Sequence, residues 1–400
     1  MRAPPFGERR AAQKAAGSSW DSNSDALSRV PRPRIDRRGS QLLTLNFQLP
    51  ISDFAQHGLI CTLQRLNDGH LPKIEHALAR LAHERPIALV LPCHGADLAR
   101  PALAHIVAEL AERPHFLQEI VVSMNGIDGE QFELVRQLFA ALPMRRTFLW
   151  NDRPGAPAHG LAGKGGNVDA ALRHLVGAGT CAIIATQDAD VASFHRHDLA
   201  RLCYAVAEPR LGFQFAKMYY PRVTDRLYGR VSRLFLAPLL HALVRVAGHQ
   251  PLLGFLLSFR YPLAGEVAMT RETAAALRVA PGWGLEIGQL CEVFRHLDPR
   301  TVCQVGGGTG YDHKHQPAAT ALAAMAAEIA AELFRQLATE GLPAETAFRE
   351  AVANAYRRAA ALALHRSASL ALINDLPFDE TAEREMIATF ALALDCSRGH

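Results

Sequence analysis

The sequence predicts an α/β chain: a mostly parallel sheet with helices on both faces, followed by a helical C-terminal extension. Three observations carry this. Short, wholly apolar runs such as Ile87-Ala88-Leu89-Val90-Leu91 lack the alternation of a half-exposed strand and read as strands buried on both faces. Helical stretches separate these runs in regular succession, the pattern of a parallel sheet. From residue 318 onward the periodicity is helical throughout, over 318–338, 343–366 and 379–395.

Taken in order, residues 1–40 mix Pro, Ser, Gly and Arg with few aliphatics and are expected to form a disordered basic tail. Residues 41–84 are an N-terminal helical or irregular segment that ends in a helix from Ile74 to His83. A first α/β half spans 85–225. It opens on the strand 87–91, which is closed by Pro92, and continues with a helix at 98–112, a strand from Glu119 to Met124, a helix at 129–141 and a strand from Thr147 to Trp150. A Gly-rich loop, a helix at 166–176 and a buried strand from Cys181 to Gln187 complete it. A second half covers 226–317, and the helical extension 318–400. In such sheets, ligands bind beyond the carboxyl ends of the strands.

Composition narrows the function. With 49% hydrophobic and 20% charged residues, 400 residues can bury a sizeable core. The net charge is +4, but residues 1–40 hold eight Arg and one Lys against four acids, a net of +5, so the remainder is near neutral. That excludes the clustered basic face that nucleic-acid binding needs. The seven Cys (61, 93, 181, 203, 291, 303 and 396) form no CxxC pair, so neither a zinc site nor a disulfide framework is indicated, and a reducing cytoplasm is expected. No apolar signal core opens the chain. The most apolar stretch, 234–263, is interrupted by His241, Arg245, His249 and Arg260, too often for a membrane span.

Five constellations could carry chemistry. Asp188-Ala189-Asp190 follows the buried strand and offers two carboxylates to a hard divalent cation, with a nucleotide diphosphate supplying the other ligands; the plain alternative is a solvated turn. Gly163-Lys164-Gly165-Gly166 precedes a helix, where bare backbone amides, the helix N-terminus and an ammonium suit a phosphate; otherwise it is a flexible turn. Asp312-His313-Lys314-His315, after Gly306-Gly307-Gly308, could complete a metal shell with an imidazole. Gly282-Trp283-Gly284-Leu285-Glu286 could hold a sugar, although an acid in a first helical turn is also simply favoured by the helix dipole. Tyr228-Gly229-Arg230-Val231-Ser232 opens a long apolar helix and suits a carboxylate or phosphate, or is a helix cap.

In this order the five pieces resemble the glucosyl-3-phosphoglycerate synthase family of retaining GT-A glycosyltransferases. The resemblance runs from about Ile87 to Pro317 and is strongest at Gly229-Arg230-Val231-Ser232 with Ala237-Pro238-Leu239-Leu240, at Pro262-Leu263-Ala264-Gly265-Glu266, and from Ala280 to Gly288. It implies a GT-A fold, UDP-glucose as donor, 3-phosphoglycerate as acceptor, Mg²⁺ or Mn²⁺ as cofactor and a homodimer. Pro92, Cys93 and Ser123 would lie at the uridine end, with Gly163 and Lys164 near the diphosphate. Asp188, Ala189 and Asp190 would form the metal-and-ribose motif, with Asp190 the direct ligand and His313 completing the metal site. The Leu263 backbone, Gly265 and Glu286 would meet the transferred sugar. Gly229, Arg230, Val231, Ser232 and His315 would hold the acceptor. The chain departs from the family at Cys93-His94-Gly95-Ala96-Asp97, where an Asn-Glu-type pair is usual, and at His315 and Gln316, where Asn and Arg are usual. Glycerate as acceptor, or another nucleotide sugar as donor, therefore stays open. A haloacid-dehalogenase-type phosphatase, a nucleotidyltransferase and a non-catalytic homologue are the readings from other classes.

Overall fold

In the computed structural model, the apolar runs pair into one sheet and the amphipathic stretches cover both of its faces. The structure describes residues 58–154, 161, 163–308, 319–343 and 345–396. The chain begins with β1 (Cys61–Leu63), α1 (Leu71–Glu84), β2 (Ile87–His94), α2 (Ala102–Ala111), β3 (Glu119–Asn125), α3 (Gly129–Leu138) and β4 (Arg145–Trp150). It continues with α4 (Gly163–Ala178), β5 (Ile183–Thr186), α5 (Arg196–Ala207) and β6 (Phe215–Tyr219). A π-helical turn, Val231–Leu236, leads into α6 (Ala237–Ala247), followed by α7 (Pro251–Ser258), β7 (Val267–Thr270), α8 (Arg271–Ala276), α9 (Leu285–His296) and β8 (Val302–Gly306). The C-terminal helices are α10 (Ala319–Thr339), α11 (Thr346–Ile373) and α12 (Glu380–Cys396).

The strands pair in the order β1-β8-β6-β7-β5-β2-β3-β4. β7 is antiparallel to β5 and β6, and every other pair is parallel. The mostly parallel sheet, its helical flanks and the helical C-terminal region are as the sequence predicts. Burial explains why β2 reads as one continuous apolar run. Ala88 and Val90 belong to the core on one side of the sheet, Ile87, Leu89 and Leu91 to the core on the other, and none is exposed.

The predicted end of that strand needs correcting: β2 runs past Pro92 to His94. Alternate residues of a parallel strand bond to opposite neighbours. The Val90 carbonyl accepts from Gln187 N on the β5 side, so Pro92 also faces that side. Pairing with β5 ends at Val90–Thr186, and the N–H that proline lacks is not needed there.

α11 and α12 pack on the chain's own second half. The Tyr356 hydroxyl donates to Leu234 O at 2.9 Å, and the Phe235 ring lies 6.0 Å from Tyr356 and 5.3 Å from Phe390. Cys61, Cys93, Cys181, Cys203, Cys291 and Cys303 are free thiols. Among the described residues, no helix is long and apolar enough to cross a membrane.

Candidate active site

The antiparallel β7 decides where the site forms. β5 exits into Asp188-Ala189-Asp190, and because β7 runs the other way, its entry segment, Tyr261 to Glu266, lies beside that exit. Contact is close enough to dictate glycine at 265: a Cβ there would sit 2.4 Å from Asp188 Oδ1. The Thr186 hydroxyl donates to Gly265 O at 2.6 Å and ties the two segments together. A cleft of about 1220 Å³ opens above them.

Pro92, Cys93, Gly163 and Lys164 line the cleft, together with Asp188, Ala189 and Asp190. The glycine motif is not a loop ahead of the helix. Gly163, at φ +67°, starts α4, and Lys164 to Gly166 form its first turn. The tight spacing has a packing reason, since a Cβ on Gly165 would meet Ala280 O at 2.2 Å. Helix entry aims Lys164 inward. Its Nζ lies 2.6 Å from Asp188 Oδ1 and 2.8 Å from Glu286 Oε1. Burial alone would push this ammonium down, but the two carboxylates outweigh it and hold its pKa well above the ordinary lysine value. Glu286 is in the first turn of α9. Three groups far apart in sequence thus form one ion-paired trio.

Gly229, Arg230, Val231, Ser232 and Leu263 also line the cleft. Gly229 has φ +71°, a backbone geometry that glycine adopts without strain, and it starts the turn into the π-helical segment. Arg230 Nε pairs with Glu383 Oε1 at 2.7 Å, and Arg233 pairs with the other oxygen of the same buried carboxylate. Glu383 sits on α12, so the C-terminal extension holds a cleft arginine in place. Burial pushes the Tyr261 hydroxyl up, while Arg222 and a hydrogen bond with Ser232 pull it back. Arg222 and Arg226 line the cleft as well.

Not every predicted residue reaches the cleft. Ser123 is fully buried and accepts a bond from Asn151 Nδ2 at 2.8 Å. Gly265 acts through its contact with Asp188. His313 and His315 lie outside the described residues, as does Gln316. Burial, then Asp97 and Asp190, push the Cys93 thiol up to about 12, so it stays protonated and is no nucleophile. Among the described residues, no group of three or more His, Cys, Asp or Glu side chains is assembled to hold a metal.

Several cleft residues escaped the sequence reading. Asn167 Nδ2 donates to Cys93 O at 3.1 Å and to Asn125 Oδ1 at 3.0 Å, and it cross-braces the ends of β2 and β3. Asn125 had a signal, being the first amide after the apolar run Ile120–Met124. α10 belongs to the helical extension, to which the sequence assigns no site residue, yet Met325, Glu328 and Arg335 line the cleft. Glu328 Oε2 accepts from Trp283 N at 2.9 Å. At His94, where the family usually has an Asn-Glu-type pair, the ring accepts from Ala96 N and Asp97 Oδ2 accepts from His94 N. His94 and Asp97 therefore close the same reciprocal cap that an Asn with an acid three residues on would make.

No family model matches the chain. It is 35% identical over 359 residues to the glucosyl-3-phosphoglycerate synthase of Persephonella marina, a match covering 86% of this chain and 89% of that protein. It is 33% identical over 251 residues to the synthase of the same name from Methanococcoides burtonii, covering 58% and 60%. Among solved structures, Mycobacterium tuberculosis glucosyl-3-phosphoglycerate synthase in complex with phosphoglyceric acid superposes with a TM-score of 0.55 at 24% identity, over 71% of this chain and 89% of that one. Its complex with Mg²⁺ and uridine diphosphate gives 0.54 at 25% identity, over 71% and 88%. These superpositions bear on the fold.

Proposed function

Because the chain belongs to the glucosyl-3-phosphoglycerate synthase family, we propose that its cleft moves glucose from UDP-glucose to 3-phosphoglycerate with retention of configuration, in a metal-dependent reaction. One observation carries the reading: Lys164, in a cleft that Arg230 also lines, is ion-paired with both Asp188 and Glu286. In this reading residues 85–225 bind the nucleotide sugar and 226–317 the acceptor. Pro92 and Cys93 form the uridine end, and Gly163 and Lys164 face the diphosphate.

The donor set fits a hard divalent cation. Asp188 and Asp190 present carboxylates to one cleft and would hold Mg²⁺ or Mn²⁺ together with the donor's diphosphate, with His313 as the further ligand that the family resemblance implies. When bound, such an ion offsets charge on the departing nucleotide. Lys164, kept protonated by its two acids, adds fixed positive charge at the same place. Arg230 and Ser232 orient the acceptor's carboxylate and phosphate, beside Gly229, Val231 and His315. The Leu263 carbonyl and Glu286 hold the transferred sugar. Glu286 is already engaged by Lys164, which favours a holding role over a nucleophilic one. The acceptor hydroxyl then attacks from the side the nucleotide leaves, and a leaving-phosphate oxygen takes its proton.

Incubated with Mg²⁺, UDP-glucose and 3-phosphoglycerate, the protein is expected to release UDP and form a product with the mass of glucosyl-3-phosphoglycerate, its α-linkage visible by NMR. EDTA should stop the reaction and added Mg²⁺ or Mn²⁺ restore it; an unchanged rate in EDTA would remove the metal from this account. The altered residues His315 and Gln316 support a second acceptor, glycerate, and kcat/KM for the two acceptors decides between them. The free cysteines support a cytoplasmic location. Exposed Leu362, Leu370, Leu372, Ile373 and Leu392 on the C-terminal helices support a homodimer. Light scattering should then give twice the 43.6 kDa chain mass.

A further inference from the structure

A lysine stands where the strand pattern calls for an apolar side chain. Lys217 is in the middle of β6, on the same face as Phe215, which lies in the hydrophobic core. It is 0% exposed. A buried ammonium is retained only where its bonds compensate for lost water. Here the compensation is specific: Nζ donates to Ala264 O at 2.5 Å. Burial lowers the Lys217 ammonium, and with Glu286, Glu266 and Asp188 opposing burial and Lys164 adding to it, the net result is about 8. The bond is therefore charge-assisted at neutral pH.

The surrounding bonds show what this one does. The entry segment of β7 is held at four carbonyls. Tyr261 O accepts from Ala264 N, Ala264 O from Lys217, Gly265 O from Thr186 and Glu266 O from Met218 N. The Glu266 side chain is held by Tyr220 at 2.7 Å and Gln187 at 3.2 Å. Among the described residues, no recorded hydrogen bond takes up the Leu263 carbonyl, and Leu263 lines the cleft. The segment is thus gripped on both sides of Leu263.

We propose that Lys217 is a positioning residue for glucosyl transfer, fixing the Tyr261–Glu266 segment from beneath so that the Leu263 carbonyl is presented to the transferred sugar. The proposal rests on the reading of Leu263 as a sugar contact. Lys217 touches no substrate and acts through Ala264.

The test is Lys217→Met in the full chain, which keeps length and bulk but removes the donor, alongside Thr186→Val, which removes the neighbouring grip at constant shape. Thermal melts establish that each variant is folded, and kcat and KM for UDP-glucose and 3-phosphoglycerate are measured separately. A misplaced contact on the order of 1 Å costs about 10²-fold in rate. Lys217→Met is therefore expected to lose roughly that factor in kcat with both KM values little changed, and Thr186→Val to show the same split at smaller size. A folded Lys217→Met protein with wild-type kcat overturns the proposal. If that variant does not fold, Thr186→Val decides, and wild-type kcat there overturns it equally. Wild-type protein that forms no glucosylated product would instead overturn the functional reading beneath it.

Discussion

The Asp190→Ala protein is expected to fold, to melt near the wild-type temperature and to transfer no measurable glucose. Asp190 lines the cleft, part exposed, two residues beyond Asp188 and past the last pair of β5. No packed core depends on it, so the stability cost should stay within about 1 kcal/mol, as for most substitutions outside a core or buried network. The loss falls on chemistry. With one carboxylate fewer, Asp188 would be the sole carboxylate of the motif left for a cation, and Lys164 already claims it. Hard cations of this kind keep few protein ligands, so removing one of two is severe. Calorimetry should show UDP binding that no longer responds to Mg²⁺. Near-normal turnover would end the assignment of this motif to the metal.

Replacing Lys164 by methionine is expected to be the next most damaging change. Two carboxylates, Asp188 and Glu286, would then face each other across the site without the ammonium that lies 2.6 and 2.8 Å from them. Removing one preorganised charge from such a site typically costs about 10²–10³ in kcat. A stability loss should accompany it. The pKa of Lys164 is raised in the folded protein, so its contribution is fully present below the ordinary lysine value and is lost only as pH rises through the raised one. The variant should accordingly melt lower at pH 7, and the gap should narrow only in strong alkali. A melting temperature equal to wild type at pH 7 would show that the trio contributes nothing to the fold.

Local pattern and tertiary placement divide the site between them. Asp188-Ala189-Asp190 was legible because it follows a run buried on both faces, and the carboxyl end of such a strand is a binding position in any parallel sheet. Gly229 and Gly163 were legible as turn residues beside polar groups. The sequence offered no sign that Glu383 holds Arg230, since that contact spans 153 positions. Nor did it show that α10 walls the cleft, because its Ala-rich pattern records only that one face is buried, not against what. Lys217 belongs to no motif that the sequence singles out. Only its burial against Ala264 makes it informative.

The sequence by itself determined the alternation of strands and helices from β2 to β5, the helical C-terminal region, the position of the acids at a strand end and, through the ordered motifs, the family. These are local properties, set by side-chain periodicity and by residue types a few positions apart. Tertiary structure decided the rest: that β7 enters antiparallel beside β5, that Lys164 joins Asp188 to Glu286 across 122 residues, and that the Leu263 peptide is gripped from below. Such contacts depend on which elements become neighbours in the sheet. That is set by how the whole core packs, and no short stretch of sequence encodes it.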